Sequence, residues 1–159
     1  MGQLKVRDIM TTPVTSLLGT DTLKDATIKL AVENLSGAPV VDEDFRLIGI
    51  LSEYDILKVI MDHEESINLK NPVLHLLAMP MDVIDDPQLK EAADKISKTK
   101  VEDIMIKDVL TTTANTEIID ILRVMIEKDV SRVPVLEKGV LVGIVTRGDI
   151  IFSIYKRKL

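Results

Sequence analysis

The chain of 159 residues has no cysteine and no tryptophan, and only two tyrosines and two phenylalanines. Without cysteine there is no disulfide framework, and a zinc site would have to be assembled from two histidines and carboxylates. With aromatics at 3%, platforms for stacking nucleic-acid bases are scarce. Positive charge is also short: 20 Lys+Arg stand against 26 Asp+Glu, a net charge of −6, which argues against a nucleic-acid-coating role. The one cationic run, Lys156-Arg157-Lys158, reads as a solvated tail. The longest stretch without a charged residue, Ile9 to Thr20, is too short to cross a bilayer. No membrane association is therefore expected. The first residues, Met1-Gly2-Gln3-Leu4-Lys5, lack a signal-peptide core, so the cytoplasm is the expected compartment.

Catalytic signatures are missing as well. No G-x-G-x-x-G, G-x-x-x-x-G-K-[ST] or G-x-S-x-G occurs, and nothing sets a nucleophile beside a base. His63 precedes Glu64-Glu65 in what reads as a solvated helix end, and His75 lies in the apolar run Val73 to Leu77. Asp42-Glu43-Asp44 is a turn without the glycine and terminal glutamate of a calcium loop, and Asp85-Asp86 before Pro87 reads as a helix cap. Met10, Met61, Met105 and Met125 read as core filler. No metal site and no enzyme are expected.

What the chain does have is a repeat. Val6-Arg7-Asp8-Ile9-Met10 returns as Val101-Glu102-Asp103-Ile104-Met105, and the same offset carries Val14 onto Val109, Ser36 onto Ser131, and Pro39-Val40 onto Pro134-Val135. After the loss of one residue, Gly49-Ile50 matches Gly143-Ile144 and Asp55-Ile56 matches Asp149-Ile150. In each copy a short β-prone run (14–17, 109–112) precedes an amphipathic helix, marked by Leu23, Ala26, Leu30 and by Ile118, Ile121, Leu122, Met125. Two strands follow (38–41 and 47–51; 133–136 and 140–145), then a helix from about Tyr54 or Gly148. The expected fold is α/β (α+β), with two β-α-β-β-α repeats related by a pseudo-twofold and packed as one module. Residues 1–62 form the first repeat, 63–100 a helical linker and 101–159 the second.

The informative constellation is Gly49-Ile50-Leu51-Ser52-Glu53-Tyr54-Asp55 and its copy Gly143-Ile144-Val145-Thr146-Arg147-Gly148-Asp149. In both, a strand gives way to a helix at a hydroxyl residue, with an aspartate three positions on. One reading is a capping box, contributing about 1 kcal/mol. The other is a ligand corner, in which a helix start receives an anion and the aspartate accepts hydrogen bonds from a sugar diol. The two readings are compatible.

The ordered series Val-x-Asp-Ile-Met, Val-x-[Ser/Thr], [Ala/Val]-Pro-Val and Gly-h-h-[Ser/Thr]-x-x-Asp-Ile, present twice, resembles a tandem pair of cystathionine-β-synthase (CBS) domains, the Bateman module. The resemblance implies a non-catalytic regulatory module that binds an adenosine nucleotide (AMP, ADP or ATP), or S-adenosylmethionine, in clefts between the repeats. It implies that Asp55 and Asp149 hold ribose, and that Ser52 and Thr146 approach phosphate or ribose. Ala38-Pro39-Val40 and Val133-Pro134-Val135 would line the adenine by backbone and side chain, with Ser16 and Thr111 near the ligand. It also implies a homodimer, and an effector protein of unknown identity as the output. A ligand-free interaction module is the alternative. Copy two carries Arg132 and Arg147 where copy one has Gly37 and Glu53. A charge-assisted bond to phosphate contributes about 1.5–3 kcal/mol. The second copy is therefore expected to anchor phosphate better.

Overall fold

The structure is a computed structural model describing residues 3–67 and 87–158. In chain order, the elements are α1 (Val6–Ile9), β1 (Leu17–Leu18), α2 (Leu23–Val32), β2 (Gly37–Val41), β3 (Leu47–Ser52) and α3 (Glu53–Ile67). Then come α4 (Pro87–Lys98), α5 (Val101–Ile104), α6 (Ile118–Lys128), β4 (Arg132–Glu137), β5 (Val140–Thr146) and α7 (Arg147–Lys158). The mixed α/β class and the two repeats are those expected. Asn71-Pro72, the run Val73 to Leu77, Met79-Pro80 and Asp85-Asp86 lie outside the described residues.

The repeated opening motif is one helical turn in each copy. Val6 and Val101 are wholly buried, and the amides of Met10 and Met105 close the turn on the carbonyls of Val6 and Val101. Asp8 caps α1 by accepting from the Lys5 amide at 2.9 Å. Four residues are too few to show a helical period, so the sequence marks the motif without marking the helix.

Both long central helices end alike. Asn34 and Asp129 adopt left-handed φ of 55° and 52°. The next amides, of Leu35 and Val130, reach back to the carbonyls of Leu30 and Met125 at 2.8 and 2.9 Å. Asn and Asp tolerate this conformation because their short polar side chains hydrogen-bond locally. The hairpin turn Lys138-Gly139 has φ of 52° and 83°, the pair of positive values that a two-residue hairpin requires, and it sets Glu137 opposite Val140. In the other turn, Asp42 Oδ1 accepts from the amides of Asp44 and Arg46, which folds the chain back on itself.

The first strands are shorter than the sequence suggests. In copy one the strand is reduced to Leu17–Leu18, beside β2 in a three-stranded sheet of order β1-β2-β3. In copy two, residues 109–112 supply only a parallel bridge from Thr112 to Val135, carried by the Thr112 amide on Pro134 and the Leu136 amide on Thr112. A β-prone run becomes strand only where a neighbour meets its hydrogen bonds, and here the neighbour meets one residue.

The chain divides into two compact units that cut across the repeats. One comprises Met1–Ser16, Val41–Ile48 and Lys107–Leu159; the other comprises Leu17–Val40 and Gly49–Ile106. Each unit thus contains the opening motif of one repeat and the closing β-strand and helix of the other. In the first, Val6 joins Ile118, Ile121, Met125, Val133, Val135, Val145 and Ile150 in one apolar core. In the second, α4 packs with α2 and α3, with Ala93 and Ile96 buried.

Within each unit the opening segment lies against the last strand. Thr11 and Ile144 exchange backbone hydrogen bonds of 2.8 and 3.2 Å, and Ile50 and Ile106 exchange two of 2.9 Å. This close approach explains the repeated glycines. A Cβ on Gly49 would stand 2.5 Å from the Met105 sulfur and 2.9 Å from the Ile106 carbonyl oxygen. On Gly143 it would stand 2.6 Å from the Met10 sulfur, with no backbone atom among its nearest neighbours. Met10 and Met105 are therefore lids seated on a bare backbone. Gly49→Ala is expected to destabilise by about 1–3 kcal/mol, and Gly143→Ala by less, because a thioether can swing aside and a carbonyl cannot. Urea unfolding of the two variants measures the difference.

Candidate functional site

Each repeat ends in a tight corner where strand turns directly into helix. The first residue of α3, Glu53, donates its amide to the Ser36 carbonyl at 2.8 Å, and the first residue of α7, Arg147, donates to Ser131 at 3.0 Å. Those two bonds fix the start of each helix against the residue just before β2 or β4, the first strand of each hairpin.

Both corners close as capping boxes. The amide of Asp55 donates to Ser52 Oγ at 3.3 Å, and the Ser52 amide donates to Asp55 Oδ2 at 2.9 Å. The amide of Asp149 donates to Thr146 Oγ1 at 3.1 Å, and the Thr146 amide to Asp149 Oδ2 at 2.9 Å. The capping reading therefore describes the geometry, and it uses one carboxylate oxygen at each corner.

The remaining bonds differ. The Ser52 hydroxyl also donates to Asp55 Oδ2 at 3.0 Å. At the other corner the second donor comes from the opening segment: Thr11 Oγ1 lies 3.3 Å from Asp149 Oδ1 and 3.4 Å from Oδ2. Thr11 is the contact of this corner that sequence reasoning missed. The available signal was the residue after the repeated motif, where copy one has Thr11 and copy two has Ile106. Both aspartates are half-buried. Beside Asp55 is a cavity of about 350 Å³, lined also by Tyr54, Lys58, Val59, Asp62, Ile104 and Ile106.

The other expected site residues fall as follows. Ala38, Pro39 and Val40 belong to the same unit as Ser52 and Asp55. Ser16, Thr111, Arg132, Val133, Pro134 and Val135 belong to the unit of Thr146, Arg147 and Asp149. Ser16, Thr111 and Arg132 are half-buried. Ala38, Val40, Val133 and Val135 have no more than 1% of their surface exposed and are part of the core. Pro134 gives its carbonyl to the Thr112 amide.

Arg147 is already engaged. Its Nη2 lies 2.6 Å from Asp129 Oδ1 and its Nε donates to the Val130 carbonyl at 3.2 Å, so the guanidinium clasps the C-terminal end of α6. Asp129 and Val130 take two of the five N–H donors of the guanidinium, which leaves three for another acceptor. In copy one the matching residues are Glu53 and Asn34, and no such clasp is possible. Among the described residues, no cluster of His, Asp and Glu suits a metal ion, and no helix is long and apolar enough to cross a membrane.

The CBS domain family profile matches residues 6–62 and 101–156, the two repeats. The chain belongs to the CBS domain family, and it carries the domain twice in tandem. Over 156 aligned residues it is 36% identical to the uncharacterised protein MJ1426 of Methanocaldococcus jannaschii, covering 92% of this chain and 88% of that one. It is 31% identical over 132 residues to the chloroplastic CBS domain-containing protein CBSX2 of Arabidopsis thaliana, covering 80% of this chain but only 53% of CBSX2. Among solved structures, CBSX2 in complex with AMP superposes with a TM-score of 0.72 at 24% identity, covering 98% of this chain and 99% of that one. The CBS domain pair of MJ0100, in complex with 5′-methylthioadenosine and S-adenosyl-L-methionine, gives 0.69 at 23% identity, covering 98% and 99%.

Arg147→Ala is expected to lower stability by less than about 1 kcal/mol, since the pair is exposed and screened. A double-mutant cycle with Asp129→Ala, read by thermal unfolding, isolates the clasp: a non-zero coupling supports it, and strict additivity contradicts it.

Proposed function

We propose that the chain is a non-catalytic regulatory module that binds an adenosine nucleotide (AMP, ADP or ATP) at its two strand-to-helix corners. The observation that carries this reading is the division of labour within each aspartate, one oxygen on the helix cap and the other turned away from it. A carboxylate has about four acceptor positions, so closing the cap leaves room for the vicinal hydroxyls of a ribose. The hydroxyls of Ser52 and Thr146 and the amides of the first helical turn suit a phosphate or ribose oxygen. Arg132 and the half-buried Ser16 and Thr111 would complete the second corner, and Ala38-Pro39-Val40 would offer backbone to a base at the first. Arg147 would contribute through the N–H groups that Asp129 and Val130 leave.

The fold in which CBSX2 holds AMP, and MJ0100 holds 5′-methylthioadenosine and S-adenosyl-L-methionine, supports this class of ligand. The second of those structures favours S-adenosylmethionine as the alternative occupant. Ligand binding would act on a partner protein, or on a homodimer, by favouring one arrangement over another. A homodimer is supported by α7, where Ile151, Phe152, Ile154 and Tyr155 stand 50–66% exposed beside one another. Sedimentation at micromolar concentration should then report a species of twice the chain mass, and a monomer would remove the dimer from the account.

Calorimetry with AMP, ADP, ATP and S-adenosylmethionine tests the ligand. At a hundred times Kd, the bound ligand raises stability by about 2.7 kcal/mol. The paired substitution Asp55→Asn with Asp149→Asn keeps one acceptor for each cap and replaces the other with a donor. It is expected to weaken nucleotide binding by at least tenfold while changing stability little. Unchanged affinity would leave the aspartates with a capping role alone.

A further inference from the structure

We propose that Thr11 occupies the diol seat of Asp149, so that an adenosine ligand fills the Asp55 corner first. This rests on the reading that the two aspartates accept the vicinal hydroxyls of ribose. Thr11 Oγ1 is nearly equidistant from Asp149 Oδ1 and Oδ2, at 3.3 and 3.4 Å, and so straddles the edge of the carboxylate. That is where two neighbouring sugar hydroxyls would each give a hydrogen bond. Oδ2 also accepts the Thr146 amide. Thr11 has one proton to give, so with the Thr146 amide two of about four acceptor positions are engaged, but the Thr11 hydroxyl lies across both oxygens and a diol must displace it to reach them.

The Asp55 carboxylate is arranged differently. Its Oδ2 takes both the amide and the hydroxyl of Ser52, so neither of these bonds falls on Oδ1. The residue matching Thr11 is Ile106, which has no donor to give. Ile106 and Ile50 form the same backbone bridge that Thr11 and Ile144 form, so the two corners differ in side chain and not in backbone plan. Ile106 instead lines the cavity of about 350 Å³ that opens beside Asp55, with Tyr54 and Lys58 on the facing helix. That volume lies at the low end of small-ligand sites, and Lys58 is the one cation among the described residues of its lining, beside the carboxylates of Asp55 and Asp62. The arginines of copy two point the other way on charge alone; Arg147 is held by Asp129, and the ordering requires the seat taken by Thr11 to outweigh Arg132.

The test is calorimetric titration of the full chain with AMP, for the wild type and for Asp55→Asn, Asp149→Asn, and Asp55→Asn combined with Thr11→Val or Thr11→Ser. The tight site is expected to vanish in Asp55→Asn and to persist in Asp149→Asn. In the Asp55→Asn background, Thr11→Val should tighten the remaining corner about three- to tenfold, while Thr11→Ser, which keeps the hydroxyl, should leave it unchanged. The serine variant separates a seated hydroxyl from a merely structural effect of position 11. A tight site that follows Asp149, or a Thr11→Val variant that fails to gain affinity, overturns the ordering while leaving the diol reading intact. If AMP binds the wild type but neither Asn variant changes its affinity, the diol reading itself fails and takes the ordering with it.

Discussion

An aspartate in the first turn of a helix has two oxygens and a single cap to close. Everything proposed for this chain depends on that surplus. The cap holds the carboxylate at a fixed place beyond the end of a strand, so it does not have to be ordered when a ligand arrives. A side chain already fixed by its own helix is a better acceptor for a rigid diol than one that must first be immobilised. Capping and binding are thus successive uses of one carboxylate, and the strength of the first is a condition of the second.

The exchange of opening segments gives the corners their individuality. Because each compact unit joins the start of one repeat to the end of the other, the neighbour of each aspartate is chosen by a different stretch of sequence from the aspartate itself. Duplication supplies two identical plans: a buried valine, one helical turn, a methionine over a glycine and a backbone bridge. The residue directly after the methionine then breaks the symmetry. Thr11 sets a hydroxyl against Asp149, and Ile106 sets an apolar side chain beside Asp55. The proposed ordering of the two sites rests on that one-residue difference at the end of a matched motif.

Much of this was legible in the sequence. The repeat, the helix faces, the Lys138-Gly139 hairpin and the capping boxes are local patterns, decided by residues within a few positions of one another. The misreadings are non-local. The run Val14 to Leu17 has strand composition but found a sheet neighbour only at Leu17, and residues 109–112 found one only at Thr112. Met10 and Met105 passed for ordinary core residues because the glycines they cover stand far away in sequence. Arg147 was read for its charge, whereas Asp129, left exposed by the left-handed turn that ends α6, had already drawn it away. Thr11 had no local signal except its mismatch with Ile106.

The measurement that bears most directly on this account is a crystal structure of the chain grown with AMP. The account requires the ribose hydroxyls within hydrogen-bonding distance of Asp55 Oδ1 while Oδ2 keeps its bonds to Ser52. Nucleotide bound with its sugar away from both aspartates, or both corners vacant at saturating AMP, would contradict it.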